Sequence, residues 1–367
     1  MEIITAIDDF ITSIGIPEVI RPVIPFLLII ALMAVVGLSI FQLLHKRKFF
    51  DGKTKSFYIF VLPWIIGFIL FTLGPMIYSL WMSFHDWGLV DEKVWIAAGN
   101  YKQMAKDPLV MKSLSVTFKY TLLAVPAQMV VSFLIATLLN TKIKGMGIFR
   151  TIFYLPTLVG GVAQAVLFTW IFNPSYGVVN VLLSKVGITG PAWLTDPKWA
   201  LSTMILMSLW TVGSTVIIYL AGFQDIADSL YEAADLDGAN VLQKYFHITI
   251  PHMTPIIFFN MVTAMIGAFQ TFTQGYMFNG GTDNSLLFYA YYLYQNAFMW
   301  FKMGYGSALA WVLFIVILSF TLIVFRSSSM WVFYENEVQK KKKTKKNRKD
   351  EQIDENVEMV VVEEGRG

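Results

Sequence analysis

Glu232-Ala233-Ala234, then Gly238, then Ile248-Thr249-Ile250-Pro251 stand between two long uncharged stretches, Trp199 to Gln224 and Met253 to Thr282. Hydrophobic residues make up 56% of the chain and its charges collect in a few short segments, a distribution that the surface of a water-soluble protein does not tolerate. The quoted stretch therefore reads as a polar docking element inside an integral membrane protein. A helix needs roughly 20 apolar residues to cross a hydrocarbon core of about 30 Å. Seven charge-free runs reach that length: Pro22 to Leu44, Ser56 to Phe84, Tyr120 to Thr141, Thr151 to Ser184, Trp199 to Gln224, Met253 to Thr282 and Met303 to Phe325. The fourth is too long for one helix, and the turn signals Asn173-Pro174 and Tyr176-Gly177 are expected to end its span and begin an external loop. Without an alternating ten-residue pattern, helices are expected rather than a barrel.

Lys and Arg set the orientation. Lys46, Arg47, Lys48, Lys53 and Lys55 follow the first run, Lys142, Lys144 and Arg150 follow the third, and a dense run from Lys340 to Lys349 follows the last. These stretches are expected in the cytoplasm, which leaves the N-terminus, with Glu2, Asp8, Asp9 and Glu18, outside. The uncharged stretch Asn284 to Phe301 holds Tyr289, Tyr291, Tyr292, Tyr294 and Trp300. As an eighth span it would put the Lys-rich tail outside, so it is read as an interfacial segment. The first run starts late and lacks a small-residue cleavage site, so it reads as a retained helix. The chain has no cysteine, which excludes disulfides, thiolate metal sites and thiol catalysis.

The loop 225–252 disobeys the positive-inside pattern. It holds Asp225, Asp228, Glu232, Asp235 and Asp237 against Lys244. Ser229-Leu230-Tyr231-Glu232 has capping-box spacing, so a short helix is expected from Ser229, breaking near Gly238, with Pro251 ahead of the next span. Glu-Ala-Ala, three residues, Gly, nine residues, Ile, one residue, an aliphatic residue and Pro resembles the signature of permease subunits of binding-protein-dependent ATP-binding cassette (ABC) importers. Ile250 departs from it, standing where that family usually has Leu. Asn173-Pro174-Ser175-Tyr176-Gly177 with Asn180, Trp193-Leu194 before Asp196-Pro197, Asp237-Gly238-Ala239, Asn279-Gly280-Gly281 and Phe301-Lys302-Met303-Gly304-Tyr305-Gly306-Ser307-Ala308 are similar to the sugar-importer branch, of the maltose and lactose/multiple-sugar type. The resemblance covers roughly residues 57 to 325.

It implies an all-α polytopic fold, the six-helix core of a type I ABC importer permease, here with one extra N-terminal transmembrane helix. It further implies a second permease subunit, as a heterodimer, two cytoplasmic ATPase subunits, an extracytoplasmic sugar-binding protein, and a place in a bacterial or archaeal cytoplasmic membrane. Glu232, Ala233, Ala234, Gly238, Ile248 and Pro251 would couple to the ATPase, the small alanines permitting close approach. The chain itself is expected to hydrolyse no ATP and to need no cofactor, metal or nucleic acid. Gly52-Lys53-Thr54 imitates the end of a phosphate-binding loop, but Arg47 stands where that loop needs Gly. His247 and His252 form no metal constellation and read as interfacial residues.

Polar residues inside the runs mark a substrate path. Thr263, Gly267, Gln270 and Gln274 fall on one face of a helix, as do Ser208, Thr211 and Thr215 with Val212 between them. Gly, Ser and Thr also serve helix packing in membranes, but two Gln amides on one face exceed what packing requires. The resemblance also places the sugar site on these two spans. The core runs hold no cation, which favours a neutral carbohydrate, a di- or oligosaccharide, over a phosphorylated polyol whose charge the partner permease would then have to match. An ion-coupled secondary transporter would place an ionisable residue at mid-membrane, and a membrane enzyme would place carboxylates at its face. Residues 1–55 thus read as an outer terminus, extra helix and basic loop, 56–328 as the permease core, and 329–367 as a charged, disordered cytoplasmic tail.

Overall fold

The structure is a computed structural model and describes residues 52–88, 92–141 and 143–333. The expected first span and the Lys-rich tail lie outside these residues. The chain divides into two compact units with the boundary after Ser83.

In the first unit, α1 (Gly52–Phe68) passes through a π-helical turn, Ile69–Leu73, into α2 (Gly74–Met82). Gly52-Lys53-Thr54 therefore opens a helix rather than lying in a loop. The Gly74 N–H reaches back five residues to the Ile69 carbonyl, and this widened turn immediately precedes Pro75, which has no N–H to donate.

The second unit opens with a short antiparallel hairpin, β1 (His85–Asp86) and β2 (Val94–Trp95), in which His85 faces Trp95. Helix α3 (Gly99–Lys106) leads into the long α4 (Pro108–Leu139). Asp107 starts α4 by accepting the Leu109 N–H at 2.9 Å, with Pro108 in the first turn, where its missing N–H costs nothing. Then follow α5 (Met146–Tyr154), a 3-10 turn at Leu155–Leu158, α6 (Gly161–Ile171) and α7 (Val178–Lys185). Next come α8 (Pro197–Leu209), α9 (Gly213–Gln224), α10 (Asp228–Leu236) and α11 (Val241–Lys244). The remainder is α12 (Ile250–Phe269), α13 (Thr273–Met277), α14 (Tyr289–Tyr294) and α15 (Met303–Trp331).

Among the described residues, Phe60–Met82, Pro108–Leu139, Val241–Met277 and Met303–Trp331 are long and apolar enough to cross a membrane. With each bent pair taken as one span the number is six: α5 with its 3-10 turn and α6, bent by 100°, and α8 with α9, bent by 47°. Each matches one of the expected runs. Large apolar side chains such as Leu134, Leu138, Leu322 and Ile323 are exposed, as lipid-facing helix surfaces require. Helix α4 is the hub of this unit, packing against α8, α9, α12 and α14.

Three expectations are corrected. Helix α10 begins at Asp228 after Ala227, without a side-chain cap, so Ser229 and Glu232 form no capping box; Asn240 and Gln243 do, exchanging two 2.8 Å bonds at the start of α11. The span does not begin after Pro251, because α11 continues through a π-helical turn, Tyr245–Thr249, into α12. The wide turn again precedes a proline. The first part of the Asn284–Phe301 stretch is core rather than interface: Leu286, Phe288, Tyr289, Tyr291 and Tyr292 are buried beside Tyr120, Met204 and Leu309, while Phe298, Met299, Trp300 and Phe301 are exposed. The Asn173 turn is present, its Oδ1 accepting the Ser175 and Tyr176 N–H groups.

Candidate functional site

Three helix breaks meet around one cavity of about 250 Å³. Its wall takes Gln164 from the start of α6, Ser208 and Thr211 from the α8–α9 break, Gly267 from α12, Thr271 from the next break, and Gln274 from α13, while Tyr120 and Gln128 come from α4. Discontinuous helices free backbone groups that a regular helix would consume, and they are tolerated in a membrane only where protein or a cavity satisfies those groups. Here the Gln164 amide donates to the Met207 carbonyl at 3.1 Å, closing the end of α8. The breaks also interlock. A Cβ on Gly213 would fall 2.3 Å from the Phe153 carbonyl oxygen and 2.8 Å from Tyr154 Cα, so only glycine lets α9 meet the end of α5.

The chemistry of the lining is neutral. Gln128, Gln164 and Gln274 offer amides that donate and accept. The Ser208 hydroxyl donates to the Ile205 carbonyl at 2.7 Å, which leaves its lone pairs for other partners. Tyr120, Ser208 and Thr271 add hydroxyls to the same lining. No Lys, Arg, Asp or Glu is among the residues that line the cavity.

Of the expected path residues, Ser208, Thr211, Gly267 and Gln274 line this cavity, and Thr215, Thr263 and Gln270 do not. The single face drawn through the sixth run is broken: α12 ends at Phe269, Gln270 is its C-cap with φ −95° and ψ 13°, and Gln274 belongs to α13. Gln270 is exposed, and Thr263 spends its hydroxyl on the Phe259 and Asn260 carbonyls. Thr215 sits beyond the 47° bend. Tyr120, Gln128, Gln164 and Thr271 were not among the expected residues. Gln128 and Gln164 carry the same signal that pointed to Gln274, an amide inside an apolar run.

The loop between α9 and α12 has its own geometry. Helix α10 stops where Gly238 takes φ +76°, its N–H bonding the Asp235 carbonyl at 3.1 Å, while the Ala239 N–H bonds the Ala234 carbonyl at 2.9 Å. Lys244 pairs with Asp235 at 2.6 Å. The Tyr231 hydroxyl lies 2.8 Å from Thr249 Oγ1, tying α10 to the helix that follows. Tyr231 and Ile248 pack on the buried cluster of Val216, Tyr219, Phe223 and Met253, which anchors the loop. Its outer surface is apolar despite the acidic residues around it: Leu236 is 90% exposed, Val241 77%, and Leu242 and Phe246 are exposed as well. Glu232 and Ala233 are exposed beside them, Ala234 is half-buried, and Pro251 sits in the first turn of α12.

Membrane-crossing helices that break around an uncharged polar cavity, with an anchored loop presenting an apolar surface, define a transport permease. The chain belongs to the family of the binding-protein-dependent transport system inner membrane component, matched over residues 110–330. It is 46% identical over 299 residues to the "Probable ABC transporter permease protein YesP" of Bacillus subtilis (strain 168), covering 80% of this chain and 96% of that protein. It is 32% identical over 287 residues to the "Arabinooligosaccharides transport system permease protein AraP" of the same organism, covering 77% and 91%. Among solved structures it is similar to a chain of a bacterial ABC transporter involved in the import of the acidic polysaccharide alginate, with a TM-score of 0.66 and 25% identity over 75% of this chain and 95% of that one. The chain is thus a multi-pass permease component of an ABC importer, a transport protein whose ATP hydrolysis lies on partner subunits.

Proposed function

We propose that this permease translocates a neutral di- or oligosaccharide through the cavity formed by Ser208, Thr211, Gly267, Gln274 and the newly placed Gln128 and Gln164. The observation that carries the reading is a lining of amides and hydroxyls without a charged side chain. A carbohydrate presents hydroxyls that both donate and accept, and amides match both, whereas an anionic solute would leave a charge unpaired in a low-dielectric site. Relatives named for arabinooligosaccharides, for trehalose/maltose and for lactose support the solute class.

In this reading the loop 225–252 docks through Glu232, Ala233, Ala234 and the Gly238 turn into a cytoplasmic ATPase, with Ile248 and Pro251 anchoring it to the span. A second permease completes the path, and an extracytoplasmic binding protein delivers the sugar. Closure of the ATPase dimer moves the anchored loop as a lever, and the permease pair rocks between inward- and outward-facing states. The N-terminus lies outside and the C-terminus in the cytoplasm. Uptake of radiolabelled arabinotriose, maltose, lactose and glycerol phosphate by cells expressing the whole importer tests the solute class. Accumulation of a sugar supports the reading, and accumulation of glycerol phosphate alone defeats it.

A further inference from the structure

We propose that Asp107 is a positioning residue for the substrate cavity, holding its Gln274 wall in place through the buried aromatic segment around α14. The proposal rests on the reading of Gln274 as part of the path.

The segment is tied on one side to Asp107. A single carboxylate oxygen, Oδ2, accepts the Tyr292 hydroxyl at 2.5 Å and the Tyr305 hydroxyl at 2.9 Å, while Oδ1 accepts the Leu109 N–H at 2.9 Å. Three elements, α4, α14 and α15, therefore converge on one acid. An ionised carboxylate suits this place because it accepts only, and bonds to a charged acceptor are shorter and stronger than neutral ones. The Tyr289 N–H adds a bond to Thr117 Oγ1 at 2.8 Å, and its hydroxyl reaches the Leu309 carbonyl at 3.2 Å.

The other side of the same segment presses on α13. A Cβ on Gly275 would lie 3.1 Å from Tyr291 Cβ and 3.2 Å from Phe288 Cδ2, so α13 sits as close to α14 as a glycine permits. The Tyr291 hydroxyl bonds Asn279 Oδ1 at 2.7 Å, and the Leu286 N–H bonds the Gly280 carbonyl at 2.8 Å, fixing both ends of the turn that follows α13. Gln274, the residue before Gly275, faces the cavity. The connection thus runs from the Asp107 carboxylate to Tyr292, along the backbone to Tyr291, across to Gly275 and on to its neighbour Gln274. Close-packed elements of this kind transmit a displacement rather than absorb it.

Asp107 also caps α4, and capping alone is the competing explanation. The two separate in the reconstituted importer, assembled with its partner subunits in lipid, by labelling a Gln274→Cys reporter with a maleimide. The chain has no cysteine of its own, so the reporter has no background from this subunit. Asp107→Ala, and independently the pair Tyr292→Phe with Tyr305→Phe, should each raise the labelling rate about tenfold or more, since each loses at least two charge-assisted bonds and one alone is worth about tenfold. A Ser208→Cys reporter, on the part of the wall formed by α8, should label at an unchanged rate in both backgrounds. The tyrosine pair leaves the cap intact, so labelling of Gln274→Cys at the parental rate in that pair overturns the proposal. Equal acceleration at Ser208→Cys overturns it too, because general loosening would then be the cause. Where Asp107→Ala does not assemble, Asp107→Asn, which keeps a capping oxygen, and the tyrosine pair carry the test. Faster labelling with unchanged sugar uptake would uphold the positioning role and remove Gln274 from the path.

Discussion

The Gln164 side-chain amide donates a 3.1 Å hydrogen bond to the Met207 carbonyl, joining the first turn of α6 to the last turn of α8 at the wall of the cavity. The two helices each adjoin a break in their own span, so one amide bridges two discontinuities that are 43 residues apart in the chain.

Gln164→Leu should therefore lower stability as well as uptake. The substitution leaves the Met207 carbonyl with the Trp210 N–H at 3.2 Å as its remaining donor, so the loss is that of one hydrogen bond, about 0.5–1.5 kcal/mol. Thermal unfolding of the purified complex, followed by fluorescence, should show a lower midpoint. An unchanged midpoint would mean that the Trp210 N–H suffices for this carbonyl and that the bridge is incidental.

Gln274→Ala and Gln270→Ala should behave differently, although the two residues are four apart. Gln274 lines the cavity and Gln270 is exposed at the end of α12. Sugar uptake should fall about tenfold or more for Gln274→Ala, the loss of one to two hydrogen bonds to the solute, and stay near the parental rate for Gln270→Ala. The reverse order of effects would place the path on the continuous face drawn from the sequence.

Gly238 makes two separable contributions. Its φ of +76° disfavours any residue with a Cβ, while among the described residues no atom beyond its chain neighbours lies within 4 Å of the place where that Cβ would go. Gly238→Ala should cost about 1 kcal/mol of local stability and Gly238→Asn less, because Asn tolerates the left-handed region. Gly238→Trp projects into the space in which the ATPase would dock, and should abolish uptake and substrate-stimulated ATP hydrolysis while the chain still inserts. Uptake that survives Gly238→Trp would refute docking at this turn.

The Asp107 group sets an acid limit. Burial raises the pKa of its carboxyl, but the bonds from Tyr292 and Tyr305 and from the Leu109 and Val110 N–H groups outweigh burial and hold it below its ordinary value of 3.8. Burial and then the bond to Asp107 push the Tyr292 hydroxyl up to about 12, further from neutrality than its ordinary value of 10. A depressed carboxyl stabilises the folded state above its unfolded pKa, and that contribution disappears as pH falls through the folded value. Thermal stability of the complex should thus carry no Asp107-dependent change between about pH 8 and 5, and the parental protein should lose its advantage over Asp107→Asn only below about pH 4. A difference between the two that titrates near neutrality would contradict this assignment.

Much of the fold is legible in the chain itself because a membrane leaves helices few alternatives. Charge-free runs of sufficient length located six spans that the structure contains, and the Asn173 turn appears where Asn-Pro signalled it. The spacing from Glu232 to Pro251 marked the loop that carries the family signature, since it depends on local residue order. The Ser229–Glu232 capping box did not form, because spacing is a condition for that motif and not its cause; Asn240 and Gln243 satisfy the next helix start instead. The tyrosines of α14 have a composition that suits a membrane interface equally well, and only their bonds to Thr117, Asp107 and Leu309 reveal that they are core.

The sequence by itself determined the class of the protein, the order and rough location of its described spans and the position of its conspicuous loop, all of which follow from local hydrophobicity, charge and residue order. Tertiary structure alone decided which polar residues share the cavity. Periodicity assumes an unbroken helix, and the 100° and 47° bends, with the stop at Gln270, redirect side chains that a regular helix would align. The bends persist because distant groups satisfy them: Gln164 supplies a donor to Met207, and Gly213 makes room for Phe153.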